Sequence, residues 1–445
     1  MNLCSRLSLL RTIALTSLIP SIGLAQSNEA PPPLPHPLTL DVALAYAVEH
    51  NPTLRRVKDQ IQEQEGVVVE TRARNIPNVR FSGNYTTQQH TLIDQLFGLS
   101  VGQPNAWQVD LVARQTVYSG GSIRSAIASE KDQLAAAKLA VSSTLNDTLL
   151  NVRENFYAVL LSREQIQVEE EALRVLEAEL ANAKSRRSAG TGSEFDRLRA
   201  EVSVANVRPA LIRARNHYRI SQEQLRQSLG APATGSVGSE IEADGSLIVP
   251  LISPSLEDVV AASRLRRPEL LRQDKTIQAA ESRIDVARGD YYPSLSVFGG
   301  YRWEKSNFTG NRLEGWNTGV QADWAIFDGR ATAGKVQQAR ARLQQAKHTK
   351  EEISLSIDVQ VRQAYSGLTE ASELLQASEK VVEQARESLR LSQSRYGAGS
   401  ATQLDVLQAQ SALTEARTNL AQAQHDYAVA VARLRRAMGE TEITP

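Results

Sequence analysis

The sequence predicts an α+β chain built as an internal duplication, each half a set of long coiled-coil helices interrupted by one β-hairpin. The first observation is the repeat itself. Leu40, Pro52, Pro77, Gly83 and Tyr85 recur 216 positions later as Leu256, Pro268, Pro293, Gly299 and Tyr301. Trp107, Arg153, Arg186, Gly190, Asp196, Ala200, Tyr218 and Gly230 recur 209 positions later as Trp316, Arg362, Arg395, Gly399, Asp405, Ala409, Tyr427 and Gly439. One loop that differs by seven residues accounts for the change of offset, and a duplicated unit reads as two equivalent staves of one wall. The second observation is a sustained heptad: Leu145, Val152, Val159, Ile166, Leu173 and Leu180 in one half, Val361, Leu368, Leu375, Val382 and Leu389 in the other. Such spacing marks a coiled-coil seam. The third is two-residue alternation in the segments that hold the tryptophans.

Taken in order, residues 1–25 read as a secretory signal peptide: Arg6 and Arg11 precede an apolar Ile13–Leu24 stretch that ends in small residues. Residues 26–38 are a Pro-rich tether. The first repeat is 39–230: a helix from Leu40 to about Asn75, strands near 79–90 and 106–118, a long helix from Ser122 to about Arg187, and a return helix ending at Gly230. A Gly-, Ser- and Pro-containing linker covers 231–255. The second repeat is 256–445: a helix to about Asp290, strands near 294–305 and 315–327, a long helix from Ala331 to Tyr396, and a last helix to Met438. A helix of about 65 residues is about 100 Å long, so neighbouring helices must bury it along its length.

Composition excludes several classes. The formal net charge is zero, which removes the electrostatic case for nucleic acid. Aromatics are 5% of the chain, suited to thin helical seams more than to a thick globular core. The one cysteine, Cys4, lies in the leader, so neither a disulfide framework nor a thiol nucleophile is available. The six histidines show no ligand spacing, and no catalytic triad or HExxH pattern occurs, so neither enzyme, metal nor cofactor is expected. Gly329 to Lys335 has P-loop spacing but ends in Val336, without the hydroxyl that holds Mg²⁺.

The strand segments hold all four tryptophans, Trp107, Trp303, Trp316 and Trp324. Trp316, Thr318, Val320, Ala322, Trp324 and Ile326 alternate with Asn317, Gly319, Gln321 and Asp323; Val79, Phe81, Gly83 and Tyr85 alternate with Asn78, Arg80, Ser82 and Asn84. Aromatics at strand ends with a polar opposite face match a lipid-facing barrel with an aqueous lumen, which is preferred to a soluble sheet. Trp107, Trp303, Trp316, Trp324, Tyr85 and Tyr301 are the expected membrane girdle. Four strands cannot close a barrel, and their edges must pair, so a cyclic homo-oligomer follows. Two copies give eight strands and three give twelve; an aqueous bore favours three.

Certain motifs resemble the TolC-like outer-membrane efflux protein family. They are Asn51-Pro52, Arg267-Pro268-Glu269, Tyr291-Tyr292-Pro293-Ser294-Leu295, Phe327-Asp328-Gly329-Arg330, and Arg395-Tyr396-Gly397-Ala398-Gly399 followed by Leu404-Asp405-Val406-Leu407. The resemblance implies a homotrimer with a twelve-strand outer-membrane β-barrel continuous with a long periplasmic α-helical barrel. It implies a periplasmic adaptor and an inner-membrane pump as partners, for export of small molecules or proteins by efflux or type I secretion. It also implies a gate at the far end of the tunnel, where Asp405 matches a family aspartate, Gln408 replaces a second one, and Tyr396 matches a tyrosine that holds the gate shut. Asp196 and Arg187 are the first-repeat counterparts of Asp405 and Tyr396.

Three Asp405 carboxylates around one axis would repel and couple closure to pH and cations. The local reading is that Thr402-x-x-Asp405 and Ser193-x-x-Asp196 are helix-start capping pairs, and the two roles are compatible. Gly190, Gly192, Gly397 and Gly399 permit tight turns between antiparallel helices, and those tips suit recognition by an adaptor. From another class, the alternative is a soluble periplasmic coiled-coil scaffold in which the strands form a small soluble sheet.

Overall fold

A computed structural model of the chain describes residues 34–87, 105–232, 241–305 and 312–440. The leader with Cys4, the first part of the tether, residues 88–90 of the first expected strand, and most of the linker's first half lie outside the described residues. The first repeat holds α1 (Leu40–His50), α2 (Pro52–Ala73), β1 (Asn78–Thr87), β2 (Asn105–Ser119), α3 (Ser122–Ser188) and α4 (Glu194–Leu229). The second holds α5 (Leu256–Arg266), α6 (Pro268–Gly289), β3 (Ser294–Lys305), β4 (Arg312–Asp323), α7 (Ala331–Gly397) and α8 (Gln403–Met438). The duplication extends to length: α3 and α7 are each 67 residues and α4 and α8 each 36.

The first helix of each repeat, expected as one piece, is two. Asn51 and Arg267 adopt extended ψ of 123° and 117°. Each precedes a proline, whose ring disfavours the α region in the residue before it, and the proline then starts the next helix. Asn51 also caps α2, accepting from Thr53 N at 2.8 Å, and its amide donates to Ser228 O at 2.7 Å. The kink is thereby pinned to the end of α4. There Gly230, at φ +74°, comes so close that a Cβ would stand 2.6 Å from His50 O. Gly439 closes α8 over Arg266 and Arg267 in the same way, at φ +77°. Only glycine combines that backbone conformation with that approach.

Each repeat has its own core. Leu44 of α1, Val152, Phe156 and Val159 of α3, and Leu225 and Leu229 of α4 are buried together with Ile241, Ala243 and Leu247 of the linker. Arg163 straps that linker down, donating to Ala243 O at 2.7 Å and Gly245 O at 2.9 Å. The counterpart core holds Val361, Leu368 and Leu375 of α7 and Tyr427, Val431 and Leu434 of α8. Three of the four heptad valines are fully covered: Val152, Val159 and Val361 are each 0% exposed. The repeats join along α3, which packs on both α6 and α8; Leu176 of α3 and Val204 of α4 pack on Leu407, and Arg436 pairs with Asp147 at 2.7 Å.

The four strands form one antiparallel sheet in the order β1-β2-β3-β4, so the two hairpins meet through β2 and β3. A bulge between Thr116 and Tyr118 bends β2 where it approaches the helices. β4 ends at Asp323, so Trp324 lies beyond the strand in which it was expected. Its indole instead donates to Tyr291 O at 3.1 Å, at the end of α6.

Candidate functional site

Two regions hold the residues singled out by the sequence: the turns α3–α4 and α7–α8, and the sheet. At both turns a helix ends in a glycine at φ +76°, Gly190 and Gly399. The amides one residue further on reach back to Arg186 O at 2.9 Å and Arg395 O at 2.8 Å. These backbone bonds satisfy the last carbonyls of the long helices. Gly192 lies where a Cβ would be 3.0 Å from Arg187 N, so it permits a close approach. Gly397 is the last residue of α7, with open space where a Cβ would project.

The return helices start on side-chain caps. Thr402 Oγ1 accepts from Asp405 N at 3.3 Å, and Asp405 Oδ2 accepts from Thr402 N at 2.7 Å, a closed capping box. These donors, the Thr402 backbone first and its hydroxyl second, hold the Asp405 carboxyl below the usual carboxylate range. Asp196 takes the same place, its amide donating to Ser193 Oγ at 3.0 Å. Gln408 is exposed one turn after Asp405. Arg187 pairs with Glu194 at 2.5 Å and so ties the end of α3 to the start of α4. Glu194 is held below its ordinary range, chiefly by Arg197 and then by Arg187.

Arg186, which carried no functional expectation, makes a contact between the two tips. Its guanidinium stands 4.7 Å from the centroid of the Tyr396 ring. Both side chains are half-buried, and Tyr396 also packs beside Val406 and Ala409. The only sequence signal for Arg186 was its recurrence as Arg395. The P-loop spacing dissolves in the fold: Asp328 Oδ2 caps α7 by accepting from Thr332 N at 2.7 Å, and Lys335 pairs with Asp290 at 2.6 Å.

Strand register assigns each sheet residue to a face. Tyr85 opposes Trp107, Val109 opposes Trp303 and Tyr301 opposes Trp316, so these aromatics share one face with Phe81, Leu111 and Val320. Tyr301 and Trp303 stand 4.6 Å apart between ring centroids. The other face is polar. Arg302 pairs with Asp110 at 2.7 Å; Arg114 donates to Gln321 Oε1 at 2.9 Å, and Gln321 donates to Asp323 at 2.9 Å. Phe298 is on this face and lies flat over Gly319, whose Cβ would be 2.8 Å from its ring.

Among the described residues no helix is long and apolar enough to cross a membrane, and no group of three His, Cys, Asp or Glu is placed to hold a metal. The sequence model of the family described as "Outer membrane efflux protein" matches residues 43–231 and 259–440, one segment per repeat. The chain is 25% identical over 404 residues to "Nodulation protein T" of Rhizobium leguminosarum bv. trifolii, covering 88% of this chain and 83% of that one. It is 22% identical over 399 residues to "Outer membrane protein TolC" of Vibrio cholerae serotype O1, covering 88% and 89%. Its fold is similar to that of the Campylobacter jejuni CmeC outer membrane channel, with a TM-score of 0.76 at 14% identity, covering 90% of this chain and 85% of that one.

Proposed function

Because the chain belongs to the outer membrane efflux protein family, we propose that three copies form one exit duct. Twelve strands close a barrel in the outer membrane, and the helices continue it as a tunnel into the periplasm. The observation that carries this reading is the two-faced sheet with free edges. Among the described residues, β1 and β4 each pair on one side only, and such edges call for a partner strand.

The duplication supports the same closure for the helices. Within one chain, α3 packs on α8. Exchanging the repeats turns that contact into α7 of one copy against α4 of the next. Both surfaces are apolar and uncovered in the single chain. On α4, Phe195, Leu198, Val202 and Ile212 are exposed at coiled-coil spacing; on α7, Leu374, Val381 and Leu391 are. Leu198 is the repeat counterpart of Leu407, the wedge of the intrachain seam. Eight strands would be filled by their own side chains, so three copies suit a duct better than two.

The tips form the gate. Arg186 against Tyr396 ties the two tips of each chain, and Asp405 from three copies rings the axis beside Gln408. The counterpart of Tyr396 is Arg187, so the junction between copies lacks the aromatic partner and is the looser one. With neither nucleotide site nor catalytic constellation assigned, energy comes from an inner-membrane pump reached through a periplasmic adaptor that docks at Gly190, Gly192, Gly397 and Gly399. Detergent-solubilised mass tests the reading: a protein mass near three times 48.8 kDa less the leader is expected. A monomer soluble without detergent would favour the coiled-coil scaffold and overturn the duct.

A further inference from the structure

We infer that the polar face of the sheet carries a basic station, built by Arg80 and Arg114, that gives the strand barrel a preference for anions over cations. The inference rests on the duct reading above, since the polar face lines a bore only when three copies close the barrel. Register stacks the charges of this face in levels about 7 Å apart. Arg114 stands opposite Asn78 on one side and Phe298 on the other. One level further from the helices, Arg80 stands opposite Val112. The next level holds Arg302 with Asp110.

The three arginines differ in their neutralisation. Arg302 is compensated by Asp110 at 2.7 Å. Arg114 is held by an uncharged amide, Gln321 Oε1 at 2.9 Å, with its guanidinium 5.8 Å from the Phe298 centroid. The Arg80 side chain is exposed and makes neither hydrogen bond nor ion pair among the described residues. No acidic side chain occupies the two levels of Arg80 and Arg114. Asp323 lies below them, engaged by Gln321, and Glu304 lies above Arg302. On β4 of the same sheet these two levels hold Gly319 and Asn317, neither of them charged.

Three copies place six guanidinium groups in one band. A twelve-strand barrel has a radius of roughly 12 Å, so most of the bore lies within about a Debye length of them at 0.1 M salt. Cargo bearing carboxylate or phosphate groups is drawn to this band, and simple cations are held back. The station lies at the opposite end of the duct from the Asp405 ring, so the two act in series on different parts of the path.

The test is the zero-current potential of the full-length protein in planar bilayers under a KCl gradient near 0.1 M. Replacing both residues by glutamine (Arg80→Gln with Arg114→Gln) is expected to lower the chloride-to-potassium permeability ratio roughly fivefold, and the difference should shrink at 1 M salt. Arg80→Lys with Arg114→Lys keeps the charge and should keep the ratio. Arg302→Gln with Asp110→Asn removes a compensated pair and should also leave it unchanged. Normal conductance steps with an unaltered ratio in the double glutamine variant would overturn the basic station while leaving the duct intact. Absence of any conductance from the wild-type protein, together with a monomeric mass, would overturn the duct and the station with it.

Discussion

Loss of the Tyr396 ring should open the tips, and the structure sets the size of the effect. Arg186 stands 4.7 Å from the ring centroid, with both side chains half-buried. A cation over an aromatic face stabilises by about 0.5–1 kcal/mol at exposed sites and about 2 kcal/mol when desolvated, so roughly 1 kcal/mol per chain is reasonable here. Three copies acting together give roughly 3 kcal/mol, an upper figure of about a hundredfold in the ratio of closed to open duct. Tyr396→Ala also removes packing beside Val406 and Ala409, so the cation–ring contribution must be isolated. Arg186→Gln breaks the same contact without touching that packing, and a double-mutant cycle gives the coupling. Tyr396→Phe keeps the ring and should behave as wild type. Single-channel recordings at fixed voltage provide the readout: higher mean conductance for Arg186→Gln and Tyr396→Ala, with less than additive change when combined. Full additivity, or an open duct in Tyr396→Phe, would refute the argument and assign Tyr396 to packing or to its hydroxyl.

Val320→Arg places a charge on the aromatic face, where Val320 is 65% exposed; in lipid this costs roughly 2–4 kcal/mol near the midplane and should deplete the assembled protein in the membrane fraction. Ser82→Arg, on the polar face, should leave that fraction unchanged, and equal tolerance of both would mark a soluble sheet. Thr402→Ala should cost about 1 kcal/mol at the start of α8, read as a lower melting temperature of the solubilised protein. The pH dependence follows from the depressed Asp405 carboxyl. Its contribution is present above the ordinary carboxylate pKa, near 4, and is lost as pH falls through the lower folded value. Capping alone therefore leaves the tips unchanged between about pH 5 and 8, and a conductance change in that window would report repulsion among carboxylates of different copies.

Much of this chain is legible in its sequence because its elements are set by local rules. Heptad valines and leucines mark the seams, prolines start helices, and glycines such as Gly190 and Gly399 end them where backbone conformation demands it. Alternation alone separated the aromatic face of β4 from its polar face. The breaks at Asn51 and Arg267 are visible as Asn-Pro and Arg-Pro pairs, yet each segment is expected as a single helix; the steric effect of proline on the preceding residue prevails. Trp324 continued the alternation of β4, but a hydrogen bond to Tyr291 holds it outside the strand.

What the sequence by itself determined is the repeat, the order and type of its elements, and the two faces of each. What only the tertiary structure decided is which elements are neighbours. Periodicity shows that α3 needs a partner but not that α8 supplies it, nor that β2 pairs with β3 across the repeats. The repeat makes Arg187 the counterpart of Tyr396 but does not show that Arg186 lies over the Tyr396 ring. Arg302 meets Asp110 across 192 positions of chain. Such contacts depend on long-range packing, where many residues of similar character compete for each place, and a local pattern carries no record of which one prevails.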